Sequence, residues 1–353
     1  MKGIACILVL TGHYLGIYKY AQSFCPSIHL IDAINKSPLS FLIDEGCWLH
    51  LFFVISGYLA TKTKIHDLAE LCSKIIKRFL RLAFPIFFSC TIIFLIYKFI
   101  GFHHKETSHL FQSIWFQHQY YSAGFTFKDV LLSPIKILIM GDDSLNRPYW
   151  VLAMMFFSSV LIYLINYFFY NIKSSSKIKI QYGLELAVII LCSFVFPILS
   201  AHMIGMLLSD CQEHYNQYKK FYSSGIILII LSILFLPEKI IESFIFAILI
   251  FLVPRLAWLD KFMSLKIFQS SGNISWGVYS FHWPLIYSVG ALCIINFYSN
   301  YGLITAFIIG FVTVIFTTIL LSVFFYFTFD KISSIFTNII YRLCLKKFER
   351  LKK

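Results

Sequence analysis

Imidazoles, hydroxyls and paired cations are the groups in this sequence equipped for chemistry, because they interrupt segments that are otherwise apolar. His13 lies in the first such segment, residues 3–18, eleven residues after Lys2. In a helix, eleven steps of about 100° return to nearly the same face with a rise of roughly 16 Å. The spacing predicts Lys2 at one membrane surface and the imidazole about halfway through the roughly 30 Å hydrocarbon layer. An ionisable side chain at that depth is costly and marks a functional position. A second imidazole, His282, stands in the late apolar segment and is followed by Trp283-Pro284, a step that frees backbone groups and can kink a helix. One membrane histidine fits a simple bond between helices. Two point to a shared polar cavity.

Two further patterns accompany them. Ser56-Gly57 sits inside an apolar run, where a glycine permits close helix approach and a hydroxyl can bond a neighbour. Lys74, Lys77, Arg78 and Arg81 recur at i, i+3, i+4 and i+7, with Leu68, Leu71, Cys72, Ile75 and Phe79 on another face. That is an amphipathic helix at the inner surface, with Pro85 read as the start of the next span. The stripe serves either as positive-inside anchoring or as a cradle for a phosphate-bearing ligand, since paired arginines suit phosphate oxygens.

Composition says what must hold these groups. With 59% hydrophobic and 13% charged residues, the chain has too little polar surface to coat a soluble globule. Apolar spans are expected at about residues 3–20, 47–61, 82–101, 150–170, 183–200, 221–236, 240–258, 275–297 and 303–328. The first lacks a small-residue cleavage site and reads as a signal anchor. Nine spans give the wrong parity for the basic loops at 62–81, 173–179, 219–220, 261–266 and 331–353, so one more crossing is expected at residues 201–208. These loops and Lys2 hold most of the 30 Lys and Arg. The outer segments carry only Lys19, Lys36, Lys105, Lys128, Lys136, Arg147 and Lys239. The expected fold is therefore all-α: a polytopic membrane helical bundle of about ten transmembrane helices with both termini cytoplasmic. Residues 1–330 form the membrane domain and 331–353 a basic cytoplasmic tail. The net charge of +13 is a topology signal facing an anionic leaflet, and gives no reason to expect a nucleic-acid partner.

The remaining polar features are less specific. Nine cysteines show no CxxC or Cys/His spacing, so no metal site is expected. Cys25 and Cys47 could both face outward and form a disulfide, though small buried hydrophobes account better for all nine. The longest loop, residues 102–149, is expected outside. It carries His103, His104, His109, His118, Trp115, Tyr120, Tyr121 and the pair Asp142-Asp143, which suits an interfacial cap or a carbohydrate-contacting surface.

Taken in order, these motifs resemble acyltransferase family 3, membrane proteins that O-acetylate cell-surface carbohydrates in bacteria. The family opens on Arg-Gly-Ile-Ala, an apolar run and a His, matched in spacing by Lys2-Gly3-Ile4-Ala5 and His13. Its Gly-x-x-Leu-Phe-Phe-Val-x-Ser-Gly resembles residues 46–57. Its Arg-x-x-Arg before a proline resembles Arg78, Arg81 and Pro85, and its Ile-Ser-Tyr-Gly-x-Tyr-x-x-His-x-Pro resembles residues 274–284. Leu145-Asn146 with Trp150 and Leu152 echoes a further motif. Three positions depart from the pattern: Lys2 replaces Arg, His50 stands where Asp is common, and Met155 where Glu is common.

The resemblance implies a membrane-embedded O-acyltransferase that moves an acetyl group from cytosolic acetyl-coenzyme A to a hydroxyl of a cell-surface polysaccharide or lipid-linked sugar such as O-antigen, lipopolysaccharide or capsule. It places the protein in the bacterial cytoplasmic (inner) membrane, with acetyl-coenzyme A as a substrate and no permanently bound cofactor. His13 is then the catalytic residue, as general base or transient acyl carrier. Lys2, Arg78 and Arg81 hold the nucleotide phosphates, and Ser56, Trp150 and His282 line the cavity or orient substrate. Two rival readings remain: an envelope lipid or sugar transporter, for which a short Gly-containing crossing at 201–210 speaks, and a catalytically inactive relative.

Overall fold

Backbone polar groups inside lipid have no water to bond, so each apolar run must satisfy its own, and helix is the local way to do it. The computed structural model describes residues 1–19, 37, 40, 41, 43–118, 125–171, 177–214 and 238–351, and every regular element among them is helical. The expected span at 221–236, the loop lysines 219–220, Cys25, Tyr120 and Tyr121 lie outside the described residues.

The described chain divides into two compact units. The first, Met1–Trp48, Arg81–Ala153 and Lys266–Ile335, contains α1 (Lys2–Lys19), the outer part of α3 (Leu68–Phe99), and the short helices α4 (His104–Phe111), α5 (Ile114–Gln117) and α6 (Phe127–Met140). A 3₁₀ turn, Arg147–Tyr149, leads into α7 (Trp150–Asn171). Then come α12 (Lys266–Leu285), a π-helical turn at Ile286–Gly290, and α13 (Ala291–Phe325). The second unit, Leu49–Leu80, Met154–Leu265 and Phe336–Lys353, holds most of α2 (Glu45–Thr61) and α7, with α8 (Lys177–Val195), α9 (Pro197–His214), α10 (Glu238–Leu252) and α11 (Ala257–Met263). It also holds most of α14 (Lys331–Leu351).

Among the described residues three helical stretches are long and apolar enough to cross a membrane, Leu68–Phe99, Arg147–Tyr170 and Lys266–Leu345, or four if the pair bent by 101° at residues 255–257 counts as one span. Several boundaries differ from expectation. The amphipathic helix and the third span are one 32-residue helix that runs through Pro85, because a helix interior tolerates proline where neighbours take up the freed carbonyl. Pro284 likewise does not end α12, and the backbone adjusts through the π-turn that follows, where Ser288 Oγ donates to the Pro284 carbonyl at 2.6 Å. Between the expected ninth and tenth spans the turn is made by Gly302 at φ 76°. The basic tail continues as helix α14. In the 102–149 loop α6 is closed at its start by a Thr126/Asp129 capping box, and bonds from Thr126 and Lys136 pull the Asp129 carboxyl down to about 2.

Residues 201–208 do lie in a helix, but α9 is not among the helices long and apolar enough to cross a membrane. Every residue from Ala201 to Asp210 is buried. A helix shielded on all sides by protein can carry His202, Ser209 and Asp210, so hydropathy does not report it. Its packing rests on glycines: a Cβ on Gly57 would collide with the His202 carbonyl, and one on Gly205 with the Val54 carbonyl. Backbones in direct contact cannot yield as a flexible side chain does. We therefore expect Gly57→Ala to lower stability by about 1–3 kcal/mol, read as a fall in Tm of the detergent-purified protein. Gly183→Ala, where an added Cβ meets nothing within 4 Å, should leave Tm unchanged or raise it slightly.

Candidate active site

In the first unit α12 lies between α1 and α13. A Cβ on Gly3 would strike Ser271, and one on Gly277 would sit 2.7 Å from the Ser322 Cα, so both crossings are close. The register of α1 is fixed by two further bonds. Cys6 Sγ donates to the Ser275 carbonyl at 3.1 Å, and Tyr14 OH donates to the Phe307 carbonyl at 2.8 Å. The unbroken α1 keeps Lys2 and His13 roughly 16 Å apart along one helix.

This packing brings the two predicted imidazoles together. The rings of His13 and His282 stack with centroids 5.3 Å apart and planes 10° from parallel. Trp283 meets His13 edge-on at 4.8 Å. A carbonyl only accepts, so the 3.0 Å bond between His282 Nδ1 and the Val278 carbonyl assigns that proton to Nδ1 and, in the neutral ring, leaves the lone pair on Nε2. His282 Nε2, His13 Nδ1 and Trp283 Nε1 are all buried without a hydrogen-bond partner among the described residues. The arrangement thus offers a lone pair to accept a proton and an indole N–H to meet a developing negative charge. Trp115, from α5 of the 102–149 loop, packs on Trp283 with centroids 6.2 Å apart and touches the Gly16 position of α1.

The helix that carries His282 is held by groups that sequence reasoning quoted only as motif echoes. Asn146 Nδ2 donates to the Ser280 carbonyl at 2.8 Å, Tyr279 OH donates to the Pro148 carbonyl, and Tyr149 OH pairs with Ser89 Oγ at 2.6 Å. Asn146 and Tyr149 are fully buried, whereas Trp150 is 38% exposed. The signal was present in Asn146, a side chain that offers both donors and acceptors beside an apolar span.

The cationic stripe divides among partners. Lys74 and Lys77 lie over the Tyr341 ring at 5.5 and 4.6 Å. Arg78 Nη2 donates to Ser56 Oγ at 3.0 Å in the second unit. In the first unit Arg81 Nη2 meets Asp330 at 3.5 Å, and its Nη1 is buried with no hydrogen-bond partner among the described residues. Lys2 opens α1 and is half-buried. Of the departures from the family pattern, His50 is buried with Nδ1 2.7 Å from Ser243 Oγ, and the Met155 carbonyl accepts from Ser159 Oγ at 2.6 Å.

Removing the Asn146 or Tyr279 tether leaves a buried backbone carbonyl with one acceptor bond fewer, a loss of about 1–3 kcal/mol. Asn146→Ala and Tyr279→Phe should lower Tm accordingly, while the exposed Trp150→Phe should leave it within error; equal shifts for all three would remove the distinction.

The family model described as an acyltransferase domain matches residues 1–327. No curated protein and no solved structure matches the chain. The match extends from the Lys2-Gly3-Ile4-Ala5 opening past the His282 motif to the end of α13, and with its apolar helices this membrane protein belongs to acyltransferase family 3.

Proposed function

We propose that the protein transfers an acetyl group from cytosolic acetyl-coenzyme A to a hydroxyl of a cell-surface polysaccharide or lipid-linked sugar in the bacterial inner membrane, within a bundle of about ten spans whose termini are both cytoplasmic. The observation that carries this reading is the stacked His13–His282 pair with an uncommitted buried nitrogen on each ring. A sugar hydroxyl is a poor nucleophile until a base takes its proton. In a direct transfer the imidazole accepts that proton as oxygen attacks the thioester carbonyl, the new C–O bond forms, the C–S bond breaks, and the proton passes to the departing thiolate. In a two-step transfer His13 takes the acetyl group first and yields it to the hydroxyl. Either route develops an oxyanion, for which the Trp283 N–H is a suitable donor.

The phosphates are assigned to Lys2, Arg78 and Arg81 on the strength of the motif match and of guanidinium chemistry. Ser56, bonded to Arg78, orients that guanidinium. His282 and Trp283 face the reacting groups, and the Trp115–Trp283 pair supports a sugar-contacting role for the outer loop. The transporter reading drew on the membrane histidines and on a short Gly-containing crossing at 201–210, residues that lie inside helix α9.

His13→Ala should slow acetyl transfer by the purified protein about 10²–10⁴-fold while membrane insertion and Tm are retained. Acetylation near the wild-type rate in this variant would remove the catalytic assignment. Lys2→Arg should keep or improve the KM for acetyl-coenzyme A, and a large rise in KM would assign the lysine another role.

A further inference from the structure

Helix α14 carries its polarity on the wrong side for a tail in water. Ile332, Ile335, Ile339 and Leu343 are exposed, Ile335 by 59% and Leu343 by 62%, whereas Ser333 and Thr337 are each only 1% exposed. By steps of about 100° the four apolar residues fall within about 80° of the helix circumference. Ser333, Thr337 and Tyr341 lie on the other side, about 160° away, and the Tyr341 ring lies under Lys74 and Lys77 of α3 at 5.5 and 4.6 Å. Protein covers the polar face, and the apolar face is turned outward.

Two further observations say what covers the apolar face. The stripe continues the exposed apolar face of the segment before it, where Phe316, Leu320, Phe324 and Phe327 are each more than half exposed within the long apolar stretch Lys266–Leu345. From Gly302 to Phe325, α13 rises about 35 Å, enough to cross the roughly 30 Å hydrocarbon layer. Helix α14 therefore starts at the boundary of that layer. Its charge is one-sided as well: five Lys and Arg stand against one Glu. Lys331 and Arg342 are exposed and flank the stripe, about 60–80° from its centre.

We propose that α14 docks on the anionic lipid leaflet, its four apolar residues entering the boundary between headgroups and acyl chains and its flanking cations meeting the lipid phosphates. The segment read from the sequence as a cytoplasmic tail is on this account a membrane-surface helix. Docking also fixes Asp330, one residue before α14, and with it the carboxylate that meets Arg81 at 3.5 Å. None of this depends on the acetyl-transfer reading.

The test places p-benzoylphenylalanine, a photo-crosslinker, at Ile339, Leu343 or Ser334 of the full-length protein in nanodiscs of phosphatidylcholine and phosphatidylglycerol. Ser334 lies about 140° from the centre of the stripe. After illumination, mass analysis should find lipid adducts at the Ile339 and Leu343 positions and few or none at Ser334. Phosphatidylglycerol should exceed its share of the bilayer among these adducts. Arg342→Gln should cut that excess by up to about fivefold, the worth of one surface cation in the leaflet's field. Molar salt should remove the excess while phosphatidylcholine adducts persist. Adducts with a second copy of this chain in place of lipid, or equal lipid labelling at all three positions, would overturn the docking. Lipid adducts with no excess of phosphatidylglycerol would overturn the match to an anionic leaflet.

Discussion

A polar side chain held inside an apolar helical unit must find its hydrogen-bond partners there, and the nearest supply is the backbone. Most of the buried hydroxyls obey this by donating to a carbonyl one turn back, as Ser159, Ser288 and Ser322 do. Longer bonds do the same between segments: Tyr14 to Phe307, Asn146 to Ser280, Tyr279 to Pro148. Against that background the buried atoms without a hydrogen-bond partner among the described residues stand out, and one each lies on His13, His282, Trp283 and His202. In His282 one nitrogen is committed to the Val278 carbonyl, which sets the tautomer and leaves the lone pair on the other.

Close approach of backbones is what allows such groups to be placed. Gly3 and Gly277 let α12 press against α1 and α13 in one unit, and Gly57 and Gly205 let α2 and α9 touch in the other. The lipid supplies no hydrophobic drive between helices, so van der Waals contact through small residues carries the association. The glycines next to Lys2 and Ser56 in the motifs are thus packing residues that fix the chemistry beside them: Gly3 seats the helix of His13, and Gly57 seats His202.

Much of this was legible in order and spacing. His13 and His282 were recognisable as misplaced polarity in apolar runs, and the structure stacks their rings. Ser56 and Arg78 were recognisable separately, and only the fold joins them. His202 was visible by the same rule that selects His13, yet its stretch served the topology count and the transporter reading. Hydropathy undervalues a helix that protein, not lipid, surrounds, and α9 is such a helix. Pro85 misled because a proline that starts a helix and one that a packed helix absorbs look alike in sequence. Asn146 and Tyr279 carried a motif signal without a partner, since a hydrogen bond 134 residues away in sequence is set by tertiary packing alone.

The central claim is that His13 and His282 act as one device. Residues that act as a unit lose their contribution together, so their effects on the barrier do not add. The direct measurement is kcat/KM for acetyl transfer in a double-mutant cycle of His13→Ala and His282→Ala. The account predicts that the double variant is no slower than the worse single variant. Losses that multiply across the two sites would mean that the rings, although stacked at 5.3 Å, work independently, and would contradict it.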